Sequence, residues 1–99
     1  MQIVDMFNLG PASAKMLKRA GIETPQQLIE LGAVAAYLRV KATGERASLN
    51  LLYAIYGAIH NHHFAKIPAD EKANLMLELD AALDVAKRFE FEQNFNTKD

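Results

Sequence analysis

Apolar residues recur along this chain at three- and four-residue spacing, the period of amphipathic helices, and the pattern predicts five helices and no strand. The first helix covers 11–20, with Ala14, Leu17 and Ala20 on one face and Lys15, Lys18 and Arg19 toward the other. The second covers 25–31. Its opening, Thr24-Pro25-Gln26-Gln27, is a capping box: Thr24 takes an N–H inside the helix and Gln27 reaches back. The third covers 33–42, with Val34, Tyr37, Leu38 and Lys41 on one stripe, and residues 43–47 form a loop. Ser48 is expected to cap the fourth helix, 49–62, which Leu49, Leu51, Leu52, Ala54, Ile55, Ala58 and Ile59 make apolar nearly all round. Such a helix is buried on several sides. It is expected to be the central rod, with Leu52, Ile55 and Ile59 nearly inaccessible and Leu17, Ile22, Leu28, Leu38 and Leu75 packed around them. Gly57 within it costs about 1 kcal/mol relative to alanine, which close approach of a neighbouring helix would explain.

The fifth helix starts after Pro68 and is expected to run from 69 to about 93, with Asp70 and Glu71 where the helix dipole favours acids. Leu75, Leu79, Ala82, Ala86 and Phe89 form a short heptad seam that Met76 and Leu83 widen; Phe91 and Phe95 follow, and 94–99 reads as a frayed tail. At about 1.5 Å per residue, this helix spans on the order of 37 Å. That exceeds the roughly 26 Å diameter of a hundred-residue domain. Its distal part must then bend back or meet a partner chain. The reading favours a homodimer that pairs Ala86, Phe89, Phe91 and Phe95 around a twofold axis.

The punctuation between elements is equally regular. Gly10-Pro11 opens the first helix and Gly21-Ile22 closes it, with Ile22 expected to fold back on Leu17; Thr24-Pro25 opens the second and Gly32 closes it. This is a compact pair of helices of the helix-hairpin-helix kind, a type that often touches nucleic-acid backbones.

Ninety-nine residues make one domain, and 51% apolar content suffices for its core. There is no cysteine, which excludes disulfides and thiolate chemistry and fits a cytoplasmic protein. No apolar run is long enough to span a membrane, and the start, Met1-Gln2-Ile3-Val4-Asp5, lacks the basic opening of a signal peptide. Net charge is −1 but unevenly spread: +3 over residues 1–66 and −4 over 67–99. Ordinary surface charge outweighs a phosphate-facing patch as the reading of that asymmetry.

Asn8-Leu9-Gly10-Pro11, Ser13, Leu17, Ala20-Gly21-Ile22, Leu28, Leu31-Gly32-Ala33 and Tyr37 resemble the C-terminal domain of the TfoX/Sxy competence regulators. So do Ser48 through Ala54, Gly57-Ala58, His63-Phe64 and Ile67-Pro68, and the resemblance spans about residues 3–80, with 81–99 as a helical extension and tail. Phe64 stands where the family commonly has Trp, and the family's N-terminal domain has no counterpart here, so the chain reads as a free-standing C-terminal domain. The resemblance implies an all-α, five-helix fold of the helix-hairpin-helix or sterile-alpha-motif type with a long C-terminal helix. It also implies a role in switching on DNA-uptake genes, in concert with the transcription machinery or an activator such as the cyclic-AMP receptor protein.

Asn8-Leu9-Gly10-Pro11-x-Ser13 also looks like the hairpin in the C-terminal domain of the alpha polypeptide of RNA polymerase, where helix N-terminal N–H groups face phosphate. Gly10, Ser13, Lys15, Lys18 and Arg19 would carry such contact with a DNA backbone. Against it, Pro11 deletes one N–H, the lysine common after that glycine is absent, and only seven residues precede Asn8. A structural helix start is therefore the stronger reading of the motif.

His60, His62 and His63 splay around a helix, and without cysteine or a nearby carboxylate they do not read as a zinc site. Neither serine sits in a nucleophile elbow, and the acids Asp70, Glu71, Glu78, Asp80 and Asp84 lie along one helix as a solvated face. Tyr37, Tyr53 and Tyr56 read as core and rim rather than as base-stacking platforms. The sequence thus points to a non-enzymatic regulatory module without cofactor or metal, acting by protein contact with auxiliary DNA-backbone contact. A self-associating scaffold is the alternative, and a metal-dependent enzyme at the histidines is the weakest reading.

Overall fold

A computed structural model describes the backbone of residues 1–96 and the side chains of residues 1–88. Among the described residues the fold is all-α, with five α-helices, two 3-10 turns and no strand. A turn at Ile3–Asp5 precedes α1 (Pro11–Arg19), α2 (Pro25–Leu31), α3 (Ala33–Ala42) and α4 (Leu49–His60); a second turn, Phe64–Lys66, leads to α5 (Ala69–Asn96). The chain divides into two compact units, Met1–Pro68 and Ala69–Asp99.

In the first unit, α1 stops as its punctuation requires. Gly21 takes φ +83°, its N–H donates to the Lys18 carbonyl at 3.0 Å, and the Ile22 N–H donates to the Leu17 carbonyl at 2.9 Å. That pairing is a Schellman stop, and its two hydrophobic partners, Leu17 and Ile22, are both fully buried. The capping box of α2 forms in both directions: Thr24 Oγ1 accepts the Gln27 N–H at 3.1 Å, and Gln27 Oε1 accepts the N–H groups of Thr24 (3.2 Å) and Glu23 (2.8 Å). Thr24→Ala should lower the unfolding free energy by about 1 kcal/mol, measured by urea denaturation, because the Gln27 N–H loses its acceptor. Gly32, at φ +88° and ψ 162°, ends α2 and begins α3: its N–H donates to Leu28 while its carbonyl accepts from Ala36. Only glycine holds that backbone without strain, so two helices meet with no intervening loop.

α3 packs against α1, α2 and α4, while α4 packs against α3 and the Phe64–Lys66 turn. The central position is therefore shared by α3 and α4. The buried face of α3 carries Ala33, Val34, Ala36, Tyr37 and Val40. This corrects the expected stripe. Because α3 packs against three other helices, its buried arc takes in Ala33, Ala36 and Val40 along with Val34 and Tyr37, and Leu38 is left at its flank, only half-buried, with Lys41 exposed. Leu52 and Ile55 are fully buried, as the pattern predicts, but Ile59 is half-buried because α4 ends one residue later. That end also corrects the expected 49–62 helix: Asn61 adopts the left-handed conformation (φ 58°) and turns the chain away. Ser48 occupies the N-cap position of α4, but its hydroxyl makes no capping bond.

The loop between α3 and α4 is tied at two points, Ala47 and Glu45. The buried Tyr37 hydroxyl donates to the Ala47 carbonyl at 3.1 Å, and the Arg19 guanidinium pairs with Glu45. The ion pair is largely exposed and stabilises by at most about 1 kcal/mol.

The second unit is α5, which begins with Asp70 and Glu71 in its first turn and continues unbroken through Asn96. Residues 94–96 are helical rather than frayed. No glycine or proline interrupts the run from Glu90, so nothing in the sequence stops it. Leu75 and Leu79 of the seam are buried, Ala82 is half-buried, and Ala86, Leu77 and Val85 are exposed. Asp84 and Arg88 form an exposed i,i+4 pair at 3.2 Å. Among the described residues, no helix is long and apolar enough to cross a membrane.

Candidate interaction surface

Asn8 organises one face of the first unit. Its backbone is left-handed (φ 69°), a conformation that asparagine tolerates better than most residues. Its side chain reaches across to the end of α4. Nδ2 donates to the His62 carbonyl at 2.8 Å and lies 3.5 Å from the Ala54 carbonyl, while Oδ1 accepts the Phe64 N–H at 3.2 Å. One amide thus satisfies three backbone groups on the helix and the loop after it. Gly57 makes this possible: a Cβ there would overlap both the Asn8 amide nitrogen and the His62 carbonyl. The close approach anticipated at Gly57 is real, but a side chain and a loop make it, not a neighbouring helix.

An aromatic cluster sits on this clamp. The His63 ring stacks on Phe64 (centroids 4.7 Å apart, 25° between planes) and meets Phe7 edge-on at 6.2 Å. His63 Nδ1 accepts the Ala65 N–H at 3.1 Å, which fixes the orientation of the ring. Phe7 and Phe64 remain 49% and 41% exposed, large apolar surfaces that the fold itself does not cover. Next to them lies a groove of about 320 Å³. Met16, Ala47, Leu51, Ala54 and Phe64 supply its apolar lining, and Asn8, Ser13, Arg46, Ser48 and Asn50 its polar groups.

Gly10 stands at the N-cap of α1 with extended backbone, before Pro11, and the hairpin is preceded by a single 3-10 turn rather than a full helix. Ser13 lines the groove. Lys15 and Lys18 are exposed on α1, whereas Arg19 is engaged with Glu45. Lys18 and Arg19 occupy the last turn, at the opposite end of the helix from Gly10, so the five residues do not converge on one point. Of the residues expected at a dimer interface, Ala86 is exposed; the side chains of Phe89, Phe91 and Phe95 lie outside the described residues. The three histidines part company. The His60 ring lies tilted by 43° against Tyr56, centroids 4.3 Å apart, within α4, while His62 and His63 lie beyond the helix end. Among the described residues, no group of three His, Cys, Asp or Glu side chains could hold a metal ion.

Asn8, Gly57 and Phe64 all belong to the motif positions that carry the family resemblance, yet nothing in the sequence shows that they meet. The residues are separated by up to 56 positions, and nothing local to Asn8 says that its amide faces α4.

The family model of the TfoX C-terminal domain matches residues 1–79. The chain belongs to this family. Two solved structures share the fold. One is the triclinic crystal form of an uncharacterized Listeria monocytogenes protein, with TM-score 0.73 and 26% identity over 77% of this chain and 86% of that one. The other is the tetragonal form of a Listeria monocytogenes protein of unknown function, with TM-score 0.72 and 26% identity over 81% of this chain and 98% of that one. Among curated proteins, no sequence matches the chain. The TfoX C-terminal domain match takes in the whole first unit, and with it the Asn8 clamp and the groove, and ends part-way along α5.

Proposed function

We propose that this TfoX C-terminal domain is a non-enzymatic regulatory module that acts by protein contact, helping an activator or the transcription machinery to switch on DNA-uptake genes. The observation that carries the reading is the half-exposed pair Phe7 and Phe64 on either side of His63, with Phe64 held by Asn8 and lining the groove. Contiguous exposed apolar surface on a small domain marks an interaction site. The fixed orientation of His63 between the two phenylalanines supports the same reading, because a preorganised surface loses less conformational entropy on binding.

The test is a reporter for DNA-uptake genes in cells carrying the Phe7→Ser/Phe64→Ser double variant. Activation should fall at least tenfold while circular dichroism and the melting temperature of the purified protein stay close to wild type. Undiminished activation by a folded double variant would overturn the proposal. Backbone contact through the exposed Lys15 and Lys18 is a secondary contribution. Any DNA binding should be weak, indifferent to sequence and steeply salt-dependent, and Lys15→Glu should weaken it on all sequences alike. Tight, sequence-selective binding at physiological salt would displace protein contact as the primary role.

A further inference from the structure

The groove of the first unit has a composition that specifies its occupant. We infer that it receives a segment of a partner protein in which an apolar side chain stands next to an aspartate or glutamate. The inference rests on the protein-contact reading above and adds the chemistry of the partner.

Three observations lead there. The first is size. At about 320 Å³, the groove is at the small end of ligand pockets, which run from about 300 to 1,000 Å³, so it fits one or two side chains rather than a large cofactor. The second is the lining. Met16, Ala47, Leu51, Ala54 and Phe64 give the groove apolar lining, which a nucleic-acid backbone would leave unused and an aliphatic or aromatic side chain would cover. Met16 is unbranched and adapts its shape to what it packs against.

The third is charge. Arg46 is the one charged residue of the lining. Its neighbour Glu45 is already engaged by Arg19, and among the described residues Arg46 has no acidic partner. Arg46 is exposed, so its guanidinium is free to meet a carboxylate carried by a segment that fills the groove, with two parallel hydrogen bonds. Ser48 adds a hydroxyl that is not used to cap α4, and Ser13 and Asn50 add further polar groups around the same opening. A carboxylate beside an apolar anchor satisfies this set; a cationic or wholly apolar segment leaves Arg46 unpaired.

The experiment selects displayed random dodecapeptides, fused at their C-termini so that no free terminal carboxylate is offered, on the full chain. The enriched peptides should share an apolar residue within two positions of Asp or Glu. Synthetic versions should lose at least tenfold in affinity on Arg46→Glu and on Phe64→Ala, and should bind Arg39→Glu, an equal charge change outside the groove, like wild type. No enrichment, enrichment of sequences without an acid, or indifference to Arg46→Glu would each overturn the inference. So would sedimentation showing that the chain self-associates and that Arg46→Glu makes it monomeric, since the groove would then hold a second copy. The reporter assay with Phe7→Ser/Phe64→Ser is read separately, so loss of the peptide result leaves the proposed role standing or falling by itself.

Discussion

Replacing Leu52 with alanine is expected to lower the unfolding free energy by about 2–5 kcal/mol, the range for truncating a buried leucine and leaving a cavity behind. Leu52 is completely inaccessible on α4, and the other fully buried large side chains, Leu17, Ile22, Leu28, Val40 and Ile55, come from all four helices of the first unit and the connection between α1 and α2. Among the described residues, the buried side chains carry a single polar group, the Tyr37 hydroxyl, and it is already bonded to the Ala47 carbonyl, so a cavity at Leu52 offers water few partners. A small domain has only about 5–15 kcal/mol in total, so the variant should denature at markedly lower urea with an unchanged slope. Ile59→Ala is the internal comparison. Ile59 is half-buried near the end of the same helix and should lose less than Leu52. A Leu52→Ala loss below half a kcal/mol, or a larger loss at Ile59, would show that the packing of α4 is not as described.

The features legible in the sequence are those set by neighbours in the chain. Thr24 and Gln27 cap each other across three residues, and Gly21 forces a stop that Leu17 and Ile22 locate. The boundaries of α2 and α3 follow from the same local chemistry. Periodicity identifies α3 but not its azimuth. Val34 and Tyr37 of the predicted stripe are buried, but α3 is packed on α1, α2 and α4, and the buried arc runs on through Ala33, Ala36 and Val40 rather than through Leu38 and Lys41. The end of α4 is hidden for a related reason: Asn61 and the histidines carry no glycine or proline, and only the left-handed backbone at Asn61 shows where the helix stops. The candidate surface is the least legible. Its residues come from the start of the chain, α1, the loop before α4, α4 itself and the loop after it, and each has a sufficient local explanation. Ser48 reads as a cap and Asn8 as part of a structural helix start; in the structure one is uncommitted and the other clamps a distant loop.

Gly57→Ala should destabilise the protein even though alanine is the better helix former. Intrinsic propensity alone would raise stability by about 1 kcal/mol in a helix interior. Against this stands the overlap of the new methyl with Asn8 Nδ2 and the His62 carbonyl, and neither neighbour can give way independently. The His62 carbonyl is bonded to Asn8, the His62 N–H is bonded to the Gly57 carbonyl at 2.8 Å, and Asn8 is held from its other side by the Phe64 N–H. Overpacking of this kind costs about 1–3 kcal/mol, and two overlaps held on both sides place this case toward the upper end, so the net effect in urea denaturation is a loss of up to about 2 kcal/mol, and the sign is the test. A stabilised Gly57→Ala protein would mean that the close approach does not exist in solution. Asn8→Gly keeps the left-handed backbone available and removes only the clamp, so it should cost about 1 kcal/mol for the lost hydrogen bonds. Because part of the overlap is with the Asn8 side chain, the double variant should be more stable than the sum of the two singles predicts, with a coupling of at least about 0.5 kcal/mol. The consequence reaches the surface. The Asn8 amide is what positions Phe64, so Gly57→Ala should also shift the NMR resonances of His63 and Phe64 and lower reporter activation although the replaced residue is itself buried.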